Sequence, residues 1–174
     1  MQALPDVLIS EISIKNRVVE LARDISSAYP RDRPIILIGV LRGALYFLAD
    51  LSRSITQPVE IDMISVSSYE GTTSTGSVTL LQDITTDITN KDILIVEDIV
   101  DTGRTLNALL QHFEHKNPSS IKICTLLDKP SRREVSVPIP YYGFRIPDHF
   151  VVGYGLDHEQ AYRNLPYIGI LPTP

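Results

Sequence analysis

Residues 93–106 read ILIVEDIVDTGRTL, an apolar run that breaks off into carboxylates, hydroxyls and a glycine. Ile93, Leu94, Ile95 and Val96 have no polar face, which predicts a strand buried on both sides in a parallel sheet covered by helices. Glu97 and Asp98 follow at once, then Asp101, Thr102, Gly103 and Thr105. Such residues are either solvated loop positions or the floor of a site, because open α/β sheets bind ligands just outside the carboxyl ends of their strands.

The chain on either side repeats the alternation. Upstream, Val18, Leu21, Ala22, Ile25 and Ala28 recur at helical spacing, with Ser10 or Ser13 as candidate N-cap. IILIGV at 35–40 reads as a buried strand, and Ala44, Phe47, Leu48, Leu51 and Ile55 mark the inner face of a second helix. Residues 59–67 and VTLLQDI read as the arms of a long hairpin. Between them SSYEGTTSTG (67–76) has no apolar period and is expected to be a mobile loop. Downstream, Leu106, Leu109, Leu110 and Phe113 form a helical stripe starting near residue 103, and IKICTLL and FVVGYGL read as further strands. The pattern predicts an α/β fold: a central, mainly parallel sheet flanked by helices, in one domain spanning 1–174, with a small lobe built from both chain ends.

Bulk properties narrow the function classes. A chain of 174 residues suffices for one compact core, and its 43% hydrophobic and 21% charged content is that of an ordinary globular protein. The net charge of −5 opposes a general nucleic-acid binder. The single cysteine, Cys124, rules out an internal disulfide and sits in an apolar run as a buried hydrophobe. No stretch approaches the ~20 apolar residues of a membrane span. The first ten residues, MQALPDVLIS, lack the basic region of a secretory signal, so a cytoplasmic location without membrane attachment is expected.

Asp101-Thr102-Gly103-Arg104-Thr105 joins the apolar strand to the next helix. A helix N-terminus offers free N–H groups and the positive end of a dipole, both favourable to phosphate. Gly103 allows close backbone approach, and Thr102 and Thr105 can add hydroxyl donors. Plain capping by Asp101 or Thr102 would use the same residues. There is no G-x-x-x-x-G-K-[ST] loop, and Gly153-Tyr154-Gly155 lacks the third glycine of a dinucleotide fingerprint. Carboxylates beside a phosphate repel it unless they engage sugar hydroxyls or a hard cation. A sugar phosphate bound with Mg²⁺ would meet both halves of the stretch.

ILIVEDIVDTGRTL resembles the phosphoribosyl-pyrophosphate signature of the type I phosphoribosyltransferases: four apolar residues, two acidic, then D-[ST]-G-x-T. LRGA at 41–44 is similar to the family's pyrophosphate loop, and SSYEGTTSTG to its catalytic loop. LLDK at 126–129 is similar to its purine-recognition strand, and FVVGYGLD at 150–157 to its base-stacking and metal segment. Together, in order over roughly residues 10–168, they resemble the bacterial hypoxanthine-guanine branch of that family.

The resemblance implies the type I phosphoribosyltransferase fold with a hood lobe, acting in purine salvage on a 6-oxopurine and phosphoribosyl pyrophosphate with Mg²⁺. It implies that Glu97 and Asp98 hold the ribose hydroxyls, that Asp101 to Thr105 bind the 5′-phosphate, and that Asp101 is the general base at purine N7. Leu41, Arg42 and Gly43 would contact pyrophosphate, with a cis peptide between the first two. Arg163 would reach the pyrophosphate, and Ser68 and Tyr69 would close over it. Lys129 would select the 6-oxo group, Phe150 would stack on the base, and Val151 would offer backbone groups to its edge. Asp157 would meet the base and a metal ion, with Glu97 and Asp98 near a second. A homodimer or homotetramer is implied, with no nucleic-acid partner. A regulator that keeps the fold and binds RNA would need a basic face, which the −5 balance does not supply. A xanthine enzyme of the same class is the nearer alternative. Outside these motifs, Arg132-Arg133 reads as a solvated loop pair or a subunit contact, and His112 and His115 as surface residues.

Overall fold

A computed structural model describes residues 4–68 and 78–171. The main sheet has six strands: β2 (Ile35–Leu41), β3 (Val59–Ser68), β4 (Val78–Gln82), β5 (Asp92–Val100), β6 (Ser120–Asp128) and β7 (Tyr141–Arg145). They lie in the order β4-β3-β2-β5-β6-β7, all parallel except the β3–β4 hairpin. Three helices flank the sheet: α1 (Glu11–Ala28) leads into β2, α2 (Leu45–Ser54) joins β2 to β3, and α3 (Arg104–Glu114) joins β5 to β6. Of the two candidate caps, Ser10 holds α1, its Oγ accepting from the Ser13 N–H at 3.2 Å.

Alternation along the central strands sorts the core into two layers. Ile35 and Leu37 of β2, with Leu94 and Val96 of β5, pack against Val18, Leu21 and Ile25 of α1 and Phe47 and Leu51 of α2. Ile36, Ile38, Ile93 and Ile95 point the other way, onto Leu106, Leu109 and Phe113 of α3. Each such side chain, fully buried, stabilises the fold by about 1.5–3 kcal/mol, so helices are held on both faces by β2 and β5. Strand order reverses between these same two strands, the point at whose carboxyl ends open α/β sheets hold their ligand crevice.

The chain ends form a separate antiparallel sheet of β1 (Asp6–Ile9), β9 (Ile168–Ile170) and β8 (Val151–Val152), in the order β1-β9-β8. This is the expected small lobe. FVVGYGL is only two residues of strand, Val151 and Val152, because Gly153, Tyr154 and Gly155 all take positive φ and turn the chain back. Strand β7 was not expected: Gly143 and the nearby prolines disguise it, and it is held by parallel pairing to β6. Strand β5 runs to Val100, so Glu97 and Asp98 belong to the strand, not to the loop after it.

Candidate active site

Three strand ends and the turn at 153–157 supply the site residues. From β2 comes Leu41-Arg42-Gly43, with a cis peptide between Leu41 and Arg42. From β5 come Glu97 and Asp98, and beyond it the segment Asp101 to Thr105. Gly43 lies against both other parts: a Cβ added to it would stand 1.5 Å from Asp98 Oδ2. A Cβ on Gly155 would stand 1.9 Å from the Gly43 carbonyl oxygen. Only hydrogen at both positions lets the strand ends and the turn close to this distance. Arg42 Nη1 crosses the same seam to donate to Gln160 Oε1 at 3.1 Å. Arg163 donates to the Gly155 carbonyl at 2.6 Å and pairs with Asp157 at 2.7 Å. Asp157 also accepts from the Gln160 N–H at 2.9 Å.

The acidic pair is costly where it stands. Glu97 is 6% exposed. Burial pushes its carboxyl well above the usual carboxylate range, and the charge of Asp98 adds to the rise. Burial also pushes Asp98 up, against the N–H of Ile99 and the charge of Arg163, which favour its ionised form. Hydroxyl donors or a hard cation in the crevice would relieve both.

Helix α3 starts at Arg104, with Gly103 as N-cap at φ +85°. The first intrahelical bond runs from the Asn107 N–H to the Gly103 carbonyl at 3.0 Å, so the N–H groups of the first turn face outward. Neither Asp101 nor Thr102 caps the helix in the ordinary way: Thr102 Oγ1 accepts only a long bond, 3.4 Å, from the Arg104 N–H. The anion-cradle geometry is present, and side-chain capping does not account for these residues. The Arg104 side chain turns away to Glu134, at 2.6 Å.

On the far side of the crevice, Lys129 is 7% exposed, and its backbone N–H bonds to the Val100 carbonyl at 2.9 Å. Its Nζ donates to the His149 carbonyl at 2.6 Å and lies 3.6 Å from Asp148 Oδ1. Arg132 extends this chain of charges, 3.6 Å from Asp148 Oδ2 and 3.3 Å from Asp101 Oδ1. Phe150 stays 47% exposed, although the smaller hydrophobic residues beside it, Val151 and Val152, are buried. The ring of His158 meets it edge-on at 5.3 Å.

Among the described residues, Leu41 to Gly43, Asp98, Asp157 and Arg163 thus meet around the seam of Gly43 and Gly155, and Lys129 joins the end of β5 through the Val100 carbonyl. Tyr69 lies outside the described residues, as does most of the 67–76 loop, and Ser68 is described only as the last residue of β3. The sequence reading missed Arg133. Its Nε donates to the Asp101 carbonyl at 3.0 Å and its Nη2 to the Val100 carbonyl at 3.3 Å, and it pairs with Asp128. It is 18% exposed and no solvated arginine. No local pattern marks it, because the two carbonyls it bonds lie about 30 residues upstream.

Comparison with known proteins gives a consistent picture. The phosphoribosyl transferase domain family matches residues 10–159. A hypoxanthine phosphoribosyltransferase of Salmonella typhimurium is 48% identical over 171 residues, 97% of this chain and 96% of that protein. A hypoxanthine-guanine phosphoribosyltransferase of Bacillus subtilis is 49% identical over 166 residues, 95% of this chain and 92% of the other. Among solved structures, a hypoxanthine-guanine phosphoribosyltransferase of Bacillus anthracis superposes with a TM-score of 0.93 at 47% identity, covering 98% of this chain and 100% of that one.

Proposed function

The chain belongs to the phosphoribosyltransferase family, and from that premise we propose that it is a hypoxanthine (guanine) phosphoribosyltransferase, a pentosyltransferase of purine salvage. It transfers the 5-phosphoribosyl group of phosphoribosyl pyrophosphate to N9 of hypoxanthine or guanine, giving IMP or GMP and pyrophosphate. The observation that carries the reading is the seam at Gly43, where Asp98 and Gly155 close on one backbone carbonyl-and-Cα position. The contact brings Asp98, the Leu41–Gly43 segment and the 153–157 turn together at the reversal of strand order, which supports reading them as ribose, pyrophosphate and metal groups.

In this reading Glu97 and Asp98 accept from the ribose hydroxyls, which eases the cost of their burial. The 5′-phosphate sits on the N–H groups of Asp101, Thr102, Gly103, Arg104 and Thr105, at the positive end of α3. Leu41, Arg42 and Gly43 hold the pyrophosphate through backbone groups, with Arg163, Ser68 and Tyr69 around it. The C1′–O bond breaks toward an oxocarbenium-like centre, pyrophosphate departs, and purine N9 bonds to C1′. Asp101 takes the N7 proton, a role worth typically ~10²–10⁴ in rate. Lys129, a pure donor, accepts only a base with an oxygen at position 6. Phe150 stacks on the ring, and Val151 and Asp157 meet its edge.

The residues present fit Mg²⁺. No group of three or more His, Cys, Asp or Glu gathers as a cage among the described residues. The adjacent carboxyls of Glu97 and Asp98, both destabilised as anions by burial, suit an ion which keeps its waters and takes one or two protein carboxylates with substrate oxygens. Asp157 would hold it with pyrophosphate, and Glu97 and Asp98 near the ribose hydroxyls. Bound there, Mg²⁺ supplies charge neutralisation for the departing pyrophosphate.

We place the enzyme in the cytoplasm as a single domain over 1–174. No described helix is long and apolar enough to cross a membrane. We expect a homodimer or homotetramer, as the family resemblance implies.

Ultraviolet-monitored turnover with phosphoribosyl pyrophosphate and Mg²⁺ tests the proposal, offering hypoxanthine, guanine, xanthine and adenine separately. Nucleotide should form with the first two and not with adenine. No turnover with any base would overturn it.

A further inference from the structure

Three successive carbonyls leading into the phosphate segment, those of Val100, Asp101 and Thr102, are held by residues 129–135. The Val100 carbonyl accepts from the Lys129 N–H at 2.9 Å and from Arg133 Nη2 at 3.3 Å. The Asp101 carbonyl accepts from Arg133 Nε at 3.0 Å. The Thr102 carbonyl accepts from the N–H groups of both Glu134 and Val135, each at 3.0 Å. Segment 129–135 therefore forms a floor beneath residues 100–102, with Arg133 at its centre.

Peptide groups are rigid planes, so turning three successive carbonyls down helps turn the adjoining N–H groups up. A carbonyl free to swing toward a bound phosphate would oppose it. Gly103 rests on the same floor: a Cβ there would meet the Val135 carbonyl oxygen at 2.5 Å and Arg133 Cδ at 3.0 Å. The glycine of this motif thus answers to the floor beneath it as well as to its φ of +85°. Arg133 is held in place in turn. Asp128, 5% exposed, pairs with it and also accepts from Arg145 Nε at 3.3 Å. The guanidinium fork fits the arrangement, because one planar group serves two carbonyls and a carboxylate at once.

We infer that Arg133 is a positioning residue for the 5′-phosphate: it preorganises the Val100–Thr102 backbone so that the N–H groups are aimed before substrate arrives. Its guanidinium also sets a positive charge beneath an anion site. The inference rests on the reading of the site given above. It assigns Arg133 no contact with substrate.

Two variants separate this role from general damage: Arg133→Met, with similar reach and no donor, and Arg133→Lys, which keeps the charge but loses the fork. Ribose 5-phosphate binding is measured by calorimetry, and KM is determined separately for phosphoribosyl pyrophosphate and hypoxanthine. Circular dichroism and Tm establish folding. In Arg133→Met, ribose 5-phosphate binding and the KM for phosphoribosyl pyrophosphate should weaken about tenfold or more, since hydrogen bonds from a charged donor are the stronger kind. The hypoxanthine KM should stay within about threefold of wild type, well inside one such hydrogen bond. Arg133→Lys should fall between, and it decides on the same comparison if Arg133→Met does not fold. A folded variant that binds ribose 5-phosphate as wild type does, or one whose two KM values rise together, overturns the inference. Wild-type protein without turnover would instead overturn the reading of the site itself.

Discussion

Lys129→Met is the substitution that most directly probes base selection. An ammonium has three donors and no acceptor. One donor is committed to the His149 carbonyl at 2.6 Å, and the charge is steadied by Asp148 at 3.6 Å. A donor therefore remains for the purine, and in a residue only 7% exposed it cannot be replaced cheaply by water. A hydrogen bond from a charged donor contributes about 1.5–3 kcal/mol, so kcat/KM for hypoxanthine should fall roughly 10- to 150-fold. Methionine nearly matches the length of the side chain, so packing is retained. The His149 carbonyl loses its partner, at a cost of about 1–3 kcal/mol in stability. Adenine gains relative to hypoxanthine, because its 6-amino group no longer meets an opposing donor. Initial rates are followed in the ultraviolet with hypoxanthine, guanine and adenine at saturating phosphoribosyl pyrophosphate. A folded variant with wild-type hypoxanthine kcat/KM and unchanged rejection of adenine would refute the reasoning and remove Lys129 from the site.

Three further outcomes are expected. Asp101→Asn should lower kcat about 10²–10⁴-fold while leaving ribose 5-phosphate binding nearly intact, and near-wild-type turnover would end its role as general base. Gly43→Ala places a methyl 1.5 Å from Asp98 Oδ2, so the loop or the carboxylate must move, and turnover should be nearly abolished in a protein that still folds by circular dichroism. Asp62 accepts from the N–H groups of Met63, Thr85 and Thr86 at 2.7–2.8 Å. Burial alone would raise its carboxyl, but those bonds outweigh it and hold the group below the ordinary value. Its stabilisation is therefore complete above the unfolded pKa of about 3.9 and is lost as pH falls through the lower folded value. Asp62→Ala should cost about 1–3 kcal/mol by urea titration at neutral pH and less near pH 2; an equal loss at both would contradict this.

Much of the fold was legible because it rests on local pattern. Continuous apolar runs at 35–40 and 93–96 could only be strands covered on both faces, and the Leu106–Leu109–Phe113 stripe could only be a helix lying on one of them. Strands without that signal escaped. The short β1 and β9 and the Gly- and Pro-disguised β7 exist because neighbouring strands hydrogen-bond to them, which is a tertiary fact. FVVGYGL looked like a longer strand because alternation says nothing of φ, and Tyr154 takes +47° between two glycines that also turn back.

The same division runs through the site. The chemistry carried by contiguous residues was readable in one dimension: an acidic pair, then D-T-G-R-T at a helix start, then a lysine at a strand end. Residue type and spacing along 93–106 offer a candidate phosphate cradle beside carboxylates, because strand, turn and first helical turn are consecutive in the chain. Which groups stand across the crevice depends instead on contacts between segments distant in sequence, such as Arg42 with Gln160, 118 residues apart. Arg133 reads as one solvated charge among sixteen Lys and Arg residues, yet folding half-buries it against the Val100 and Asp101 carbonyls. Gly43 stands out in the sequence only through the LRGA resemblance; that Asp98 and Gly155 close on it follows from the convergence of β2, β5 and the turn. Local sequence determined the central strands, the helices and the chemical groups they carry. Tertiary packing decided which of those groups meet, because close approach of backbones and burial of charge are properties of the assembled strands and of no segment alone.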